Sequence, residues 1–272
     1  MNHKIAILDL YNGNVNRGIK GIINVIERYA SVNQLTITYE VFNLRGNNEI
    51  PEVSNFDMFI SSGGPGSPID SKGSEWENRF FNLVEAIKAN NIKSSDKKYL
   101  FLICHSFQIY CRYYNYGLVC ERKSTSYGVV PVNKTIAGLR DKIIKNLSSL
   151  FYVFDNRNWQ IIEPNLNAFF ETNAEILVME KERPNIPLER AITAIRFSDE
   201  IYGTQFHPEV DGPELKEILV NDTNKGNEIK QKYGDAKYQQ LLEFLDDPEK
   251  LILTQEEILP NFLSKKFGKS EN

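Results

Sequence analysis

The chain has 272 residues, 41% of them hydrophobic and 25% charged, with a net charge of −4 at pH 7. Those proportions suit a soluble globular protein with one large domain or two small ones and ample core. The slight acidity gives no basic footprint for nucleic acid, and no apolar run approaches membrane-spanning length.

The opening segment Met1-Asn-His-Lys-Ile-Ala-Ile-Leu-Asp-Leu10 lacks a secretory-signal pattern, and Lys4 to Leu10 is predicted to be a first strand. Asn12-Gly-Asn14 predicts a turn before a helix from about Arg17 to Tyr29. Leu35 to Phe42 alternates apolar with polar residues, as a half-buried strand does. Phe56 to Ile60 predicts another strand, running into Ser61-Ser-Gly-Gly-Pro-Gly-Ser67. A helix is expected from roughly Glu75 to Ala89. Tyr99 to Ile103 is apolar at every position, which suits a central strand of a parallel sheet covered on both faces. Strands alternating with helices imply an α/β fold with a doubly wound, mostly parallel sheet.

The pattern changes in the middle. Leu118 to Lys123, Tyr127 to Thr135, Val153 to Ile162 and Ala174 to Glu180 are strand-like and predict a small antiparallel elaboration. Ala191 to Phe197 and Ile201 to Phe206, separated by Ser-Asp-Glu, predict a hairpin ending at His207. From Pro213 onward the chain turns helical and polar, with apolar positions such as Leu241, Leu242, Phe244 and Leu245. Lys265 to Asn272 is expected to fray. The simplest division is a catalytic domain over residues 1–212 and a helical C-terminal extension over 213–272 that packs on it.

Three segments carry chemistry. Cys104 stands at a strand-to-helix junction, where the positive end of the helix dipole stabilises a thiolate. Free cysteines are usually small buried residues, and Cys111 and Cys120 are assigned that structural role. Three cysteines with no CxxC pair form neither a disulfide framework nor a metal site, which points to a reducing, cytoplasmic setting. His207 and Glu209 lie two apart, so on an extended strand the carboxylate reaches the imidazole and orients it as a base. Pro208 places that segment at a strand end or edge. His3 is read as a terminal residue. The backbone N–H of His105, directly after the cysteine, is a candidate oxyanion donor. The glycine loop after the third strand matches neither GxGxxG nor GxxxxGK[ST], so its better use is a second oxyanion donor.

Taken together, Gly63-Gly-Pro-Gly66, Cys104 with Gln108, and Gln205-Phe-His-Pro-Glu209 resemble the class I (triad) glutamine amidotransferases in order and spacing, from the N-terminus to about residue 212. That resemblance implies a flavodoxin-like sheet and a cysteine that attacks the glutamine carboxamide. Ammonia leaves and water resolves a glutamyl thioester. It makes Cys104 the nucleophile at a nucleophile elbow, His207 the base and acid, and Glu209 its orienter. Gly64 and His105 supply the oxyanion hole, Gln108 contacts substrate, and Ser126, Tyr127 and Gly128 lie where the family grips the amino-acid end of glutamine. No metal or other cofactor is implied. The expected partners are a small-molecule substrate, glutamine or a γ-glutamyl compound, and a separate ammonia-accepting synthetase if ammonia is to be used. Neither nucleic acid nor a membrane is expected.

The sequence departs from the family at the elbow. Glycine usually stands two before and two after the cysteine, and this chain has Leu102 and Ser106. The stretch from Cys104 to Gly117 is also similar to homoserine O-acyltransferases, which use a comparable Cys, His and Glu. A γ-glutamyl peptidase would use the same triad on a different leaving amine.

Overall fold

The computed structural model describes residues 3–12 and 17–268. In chain order the elements are β1 (His3–Leu8), α1 (Arg17–Asn33), β2 (Ile37–Phe42), α2 (Leu44–Asn47), β3 (Met58–Ser61), α3 (Glu75–Lys93), β4 (Tyr99–Ile103) and α4 (His105–Tyr113). The chain continues through β5 (Leu118–Lys134), β6 (Leu150–Ile162), α5 (Leu166–Thr172), β7 (Glu175–Glu180), β8 (Ile192–Arg196) and β9 (Ile201–Thr204). It ends in α6 (Gly212–Asn221), α7 (Thr223–Tyr233), α8 (Asp235–Asp246) and α9 (Leu253–Phe267). The turn expected at Asn12-Gly-Asn14 lies largely outside the described residues. Of the tail expected to fray, Lys265 to Phe267 belong to α9, and 269–272 lie outside the described residues.

The strands form one sheet in the order β2-β1-β3-β4-β9-β8-β6-β5-β7. The pairings from β2 through β9 are parallel. Those joining β9, β8, β6, β5 and β7 are antiparallel. The sheet is therefore mixed, and the antiparallel part is no small elaboration on a mostly parallel one. The two strands expected at 118–123 and 127–135 are one long strand, β5, whose register against β6 shifts between Glu121 and Ser126.

Alternation along the parallel strands explains why they read as continuously apolar. Ile5, Ile7, Met58, Ile60, Phe101 and Ile103 point to one face, where α1 and α9 cover them with Ile22, Val25, Ile258 and Phe262. Ala6, Leu8, Phe59, Leu100 and Leu102 point to the other, under Phe80 and Val84 of α3 and Phe107 and Ile109 of α4. With both faces covered, no position on these strands needs to be polar. A third cluster sets Leu219, Ile229, Leu241 and Leu245 of α6 to α8 against Val129 and Phe154 of the β5–β6 pair. The C-terminal helices thus bury apolar surface against both halves of the sheet.

Candidate active site

Cys104 joins β4 to α4 with φ 51° and ψ −98°. Side-chain-bearing residues rarely adopt that backbone, at a cost of about 1–3 kcal/mol that the surroundings must offset. Two backbone bonds help to hold it. The Cys104 amide donates to the Thr204 carbonyl at 2.7 Å, and its carbonyl accepts from the Gln108 amide at 2.9 Å. Ser106 adds a third restraint. Its Oγ accepts from the Ile103 amide at 2.8 Å and lies 3.1 Å from the Ser61 carbonyl, tying the first turn of α4 to the ends of β4 and β3. The hydroxyl, two residues after the cysteine, braces the turn through these contacts.

Leu102, the other departure, is wholly buried and pairs in register with Gly203 on β9. A Cβ on Gly203 would lie 3.2 Å from the Leu102 Cβ and 2.6 Å from Phe107 Cδ2. Room for crowding at the turn is therefore provided by a glycine on the neighbouring strand.

His207 is 8% exposed and Glu209 1%. Nδ1 of His207 lies 2.8 Å from Glu209 Oε1. Both His207 and Cys104 border Gly63, and the Cys104 sulfur acts electrostatically on the imidazole. β9 ends at Thr204, so the pair sits in a turn rather than on the extended strand that the spacing suggested. The turn still delivers the contact, because the His207 amide is fixed to the Phe154 carbonyl at 2.9 Å. Burial by itself would push the imidazolium down. The Glu209 carboxylate and the Cys104 sulfur outweigh it, and the His207 pKa stands well above its ordinary value. A thiol beside such a histidine can transfer its proton and form a thiolate–imidazolium pair.

The glycine loop closes over this pair. An ideal Cβ on Gly63 would lie 2.9 Å from His207 Cε1, 3.3 Å from Tyr11 Oη and 3.4 Å from Cys104 Cβ. Gly64 is packed on the end of the Leu10 segment, where a Cβ would come within 2.5 Å of the Leu10 carbonyl oxygen. Two arginines pin the rest of the loop: Arg45 donates to the Pro65 carbonyl and Arg112 to the Pro68 carbonyl. His105 is the first residue of α4, where a helix amide has no intrahelical acceptor. Burial, then Arg45 and Arg112, lower its side-chain pKa to about 3, so the ring is neutral near neutrality.

Gln108 reaches the thiol at one remove. Its Nε2 donates to Gln205 Oε1 at 3.1 Å, and Gln205 Nε2 lies 3.6 Å from Cys104 Sγ. Ser126, Tyr127 and Gly128 do not share one surface. Ser126 lines a cavity of about 190 Å³ with Gln205, Thr193 and Asp155. Tyr127 lines a different cavity with His207. Gly128, at φ 102°, lies under Leu241 and Lys237. Behind Ser126 runs a buried ion network, in which Arg157 pairs with Asp155 at 2.8 Å and with Glu180 at 2.6 Å, and Arg122 also reaches Glu180 at 2.6 Å. Cys111 is fully buried, and burial raises its thiol pKa far from thiolate chemistry.

Two residues escaped the sequence reading. Gln205 was visible within its motif, but its contact with sulfur depends on the fold. Tyr11 is half-buried, and its hydroxyl pKa is raised by burial, lowered by His207 and raised by Glu209 and Cys104, which places it in the same electrostatic environment. Nothing in its local sequence marked it. Among the described residues no group of three or more His, Cys, Asp or Glu side chains could hold a metal ion. Among them, too, no helix is long and apolar enough to cross a membrane.

A family model described as glutamine amidotransferase class-I matches residues 19–225. A glutamine amidotransferase from Thermotoga maritima is similar in structure, with a TM-score of 0.68 at 14% identity, covering 97% of each chain. A glutamine amido transferase from Methylobacillus flagellatus gives a TM-score of 0.65 at 12% identity, covering 99% of this chain and 96% of that one. The glutaminase domain of the Trypanosoma brucei CTPS, with acivicin bound, gives 0.53 at 14% identity over 76% of this chain and 86% of that one. At these identities the likeness concerns the fold. No curated protein matches the chain in sequence.

Proposed function

The chain belongs to the class I glutamine amidotransferase family, and from that premise we propose that it cleaves the side-chain amide of glutamine through a thioester on Cys104. Cys104 Sγ attacks the amide carbon and forms the S–C bond. The oxyanion that develops is met by the backbone N–H groups of Gly64 and His105. His207, oriented by Glu209, receives the thiol proton and gives it to the departing nitrogen, so the C–N bond breaks with release of ammonia. His207 then takes a proton from water, whose oxygen attacks the thioester, and glutamate leaves as Cys104 is restored. Every atom in this sequence comes from the protein, the substrate or water.

The observation that carries the reading is Cys104 on its left-handed backbone, facing an imidazole that a buried carboxylate holds at 2.8 Å. A residue in that conformation is retained where the turn serves a purpose, because it costs stability. The fold likeness to a protein described as a glutaminase domain with bound acivicin adds support. Gln108 acts through Gln205, which rests against the sulfur. Of the segment Ser126-Tyr-Gly128, Ser126 is the member suited to the amino-acid end of glutamine, since it shares a cavity with Gln205. Residues 1–212 form the catalytic unit in this reading, and 213–272 an extension packed on it. Ammonia passes to solvent or to a separate acceptor.

The test is glutamate and ammonia release from L-glutamine by purified wild type and Cys104→Ser. Turnover by the wild type and its loss in a variant with an unchanged melting temperature is the expected result. Equal turnover by the two proteins would overturn the mechanism.

A further inference from the structure

The two amides that meet the oxyanion in the thioester reading, those of Gly64 and His105, belong to separate elements. Gly64 stands in the loop between β3 and α3, and His105 opens α4. Donors to an oxyanion work only when both are held in place before the charge develops, to within about 0.5 Å. Their alignment therefore depends on what ties the loop to the helix.

The loop is tied at Pro65, Pro68 and Ser71, each by a side chain from a different helix. Arg45 of α2 donates to the Pro65 carbonyl, and its guanidinium lies 5.1 Å from the centre of the Trp76 ring. Glu77 of α3 accepts from the Ser71 hydroxyl at 2.7 Å. Arg112 of α4 donates to the Pro68 carbonyl through Nη1 and to Glu77 Oε1 through Nη2. Of these ties, only Arg112 starts from the helix that carries the His105 amide, two turns further along it. The Arg112 and Glu77 side chains are 13% and 3% exposed, so the pair is withdrawn from water. A buried ion pair is a weak source of stability, because desolvation offsets the attraction. The planar fork of a guanidinium does something else well, which is to hold two acceptors at a fixed angle. Here those acceptors are the loop carbonyl and the carboxylate that also binds Ser71. The positive charge of Arg45 and Arg112 is felt at residue 105, whose imidazole they help to keep neutral.

We propose that Arg112, oriented by Glu77, is a positioning residue for the oxyanion hole, holding the Gly64 amide in line with the His105 amide. The proposal rests on the Cys104 thioester reading and deepens it. The pair sets how fast the thioester forms and is resolved, and it leaves the reactivity of the thiol unchanged.

Arg112→Ala would strand the Glu77 carboxylate in the interior. The test therefore uses Arg112→Lys and a double variant, Arg112→Met with Glu77→Gln, which removes both charges. Each is compared with wild type for glutamate release from L-glutamine, for melting temperature, and for alkylation of Cys104 by iodoacetamide, followed on the Cys104 peptide. Alkylation displaces iodide at a saturated carbon and develops no oxyanion, so it reads the thiolate alone. The double variant is expected to lose about tenfold to 10²-fold in kcat. Its KM and its alkylation rate should stay within about twofold of wild type. Arg112→Lys keeps the charge but not the fork, and its kcat should fall between the two. Wild-type kcat in the folded double variant overturns the proposal and leaves the thioester reading standing. An equal fall in kcat and in alkylation also overturns it, because the pair would then act on the nucleophile. If the double variant does not fold, Arg112→Lys decides by the same two rates. No glutamine turnover by wild type overturns both the proposal and the reading beneath it.

Discussion

Gly63→Ala puts one methyl group between the nucleophile and its base. Gly63 does not use a left-handed backbone, so alanine can adopt its conformation. The new Cβ would lie 2.9 Å from His207 Cε1 and 3.4 Å from Cys104 Cβ. The first contact is roughly 0.6 Å closer than the ~3.5 Å at which carbon atoms begin to attract. The imidazole cannot retreat freely, because Glu209 holds Nδ1 at 2.8 Å and the Phe154 carbonyl holds the backbone amide at 2.9 Å. A misplacement of about 1 Å in a catalytic constellation costs about 10²-fold, so a shift near half that size should lower kcat about tenfold to 10²-fold. Stability should change little, because reduced freedom of the unfolded chain contributes about 0.4–1 kcal/mol against the clash. The assay pairs glutamate release with a thermal melt. Full activity in Gly63→Ala would refute the closeness of the loop to the triad. Lost activity together with a collapsed melting temperature would refute the claim that the effect is local.

Three further outcomes follow from the elbow and the dyad. Gly203→Ala should destabilise the fold by about 1–3 kcal/mol through overpacking against Phe107 and Leu102, read by chemical denaturation; a neutral result would mean that Leu102 is accommodated elsewhere. Ser106→Ala leaves the Ile103 amide without its side-chain acceptor and should cost about 1–3 kcal/mol, with kcat falling as the turn loosens. A stabilised variant would contradict the restraining role of the hydroxyl. Glu209→Gln removes the carboxylate that favours imidazolium, so His207 should lose its proton at lower pH. The alkaline limb of the kcat/KM profile should then move toward acid pH, and an unmoved limb would separate Glu209 from the titration.

Local pattern made the parallel half of the sheet legible. Tyr99 to Ile103 is strand in both sequence and structure because a five-residue apolar run between polar flanks suits the covered centre of a sheet. The antiparallel half was harder to read. Arg122-Lys-Ser-Thr-Ser126 looks like a break in β5, yet the strand continues because β6 pairs with it on both sides of a register shift, and Glu180 pairs with both the half-buried Arg122 and the buried Arg157. Those contacts are long-range, and periodicity does not carry them. The short helix α5 was missed for a related reason, since its seven residues bury only Phe169.

At the site, the residue types of Cys104, His207 and Glu209 and their order were legible, and the structure brings all three together. The means of contact was not. His207 and Glu209 meet through a turn rather than a strand, and Leu102 is accommodated by Gly203, a residue about a hundred positions away. Tyr11 and Gln205 enter the site through packing alone.

The most direct measurement is a rapid acid quench of wild-type protein turning over glutamine, followed by intact and peptide mass spectrometry. One glutamyl group on Cys104 is expected, removed by hydroxylamine as γ-glutamyl hydroxamate and absent from His207→Ala. Release of ammonia with no acyl group on Cys104 at any quench time, or with the acyl group on Cys111 or Cys120, would contradict the thioester account.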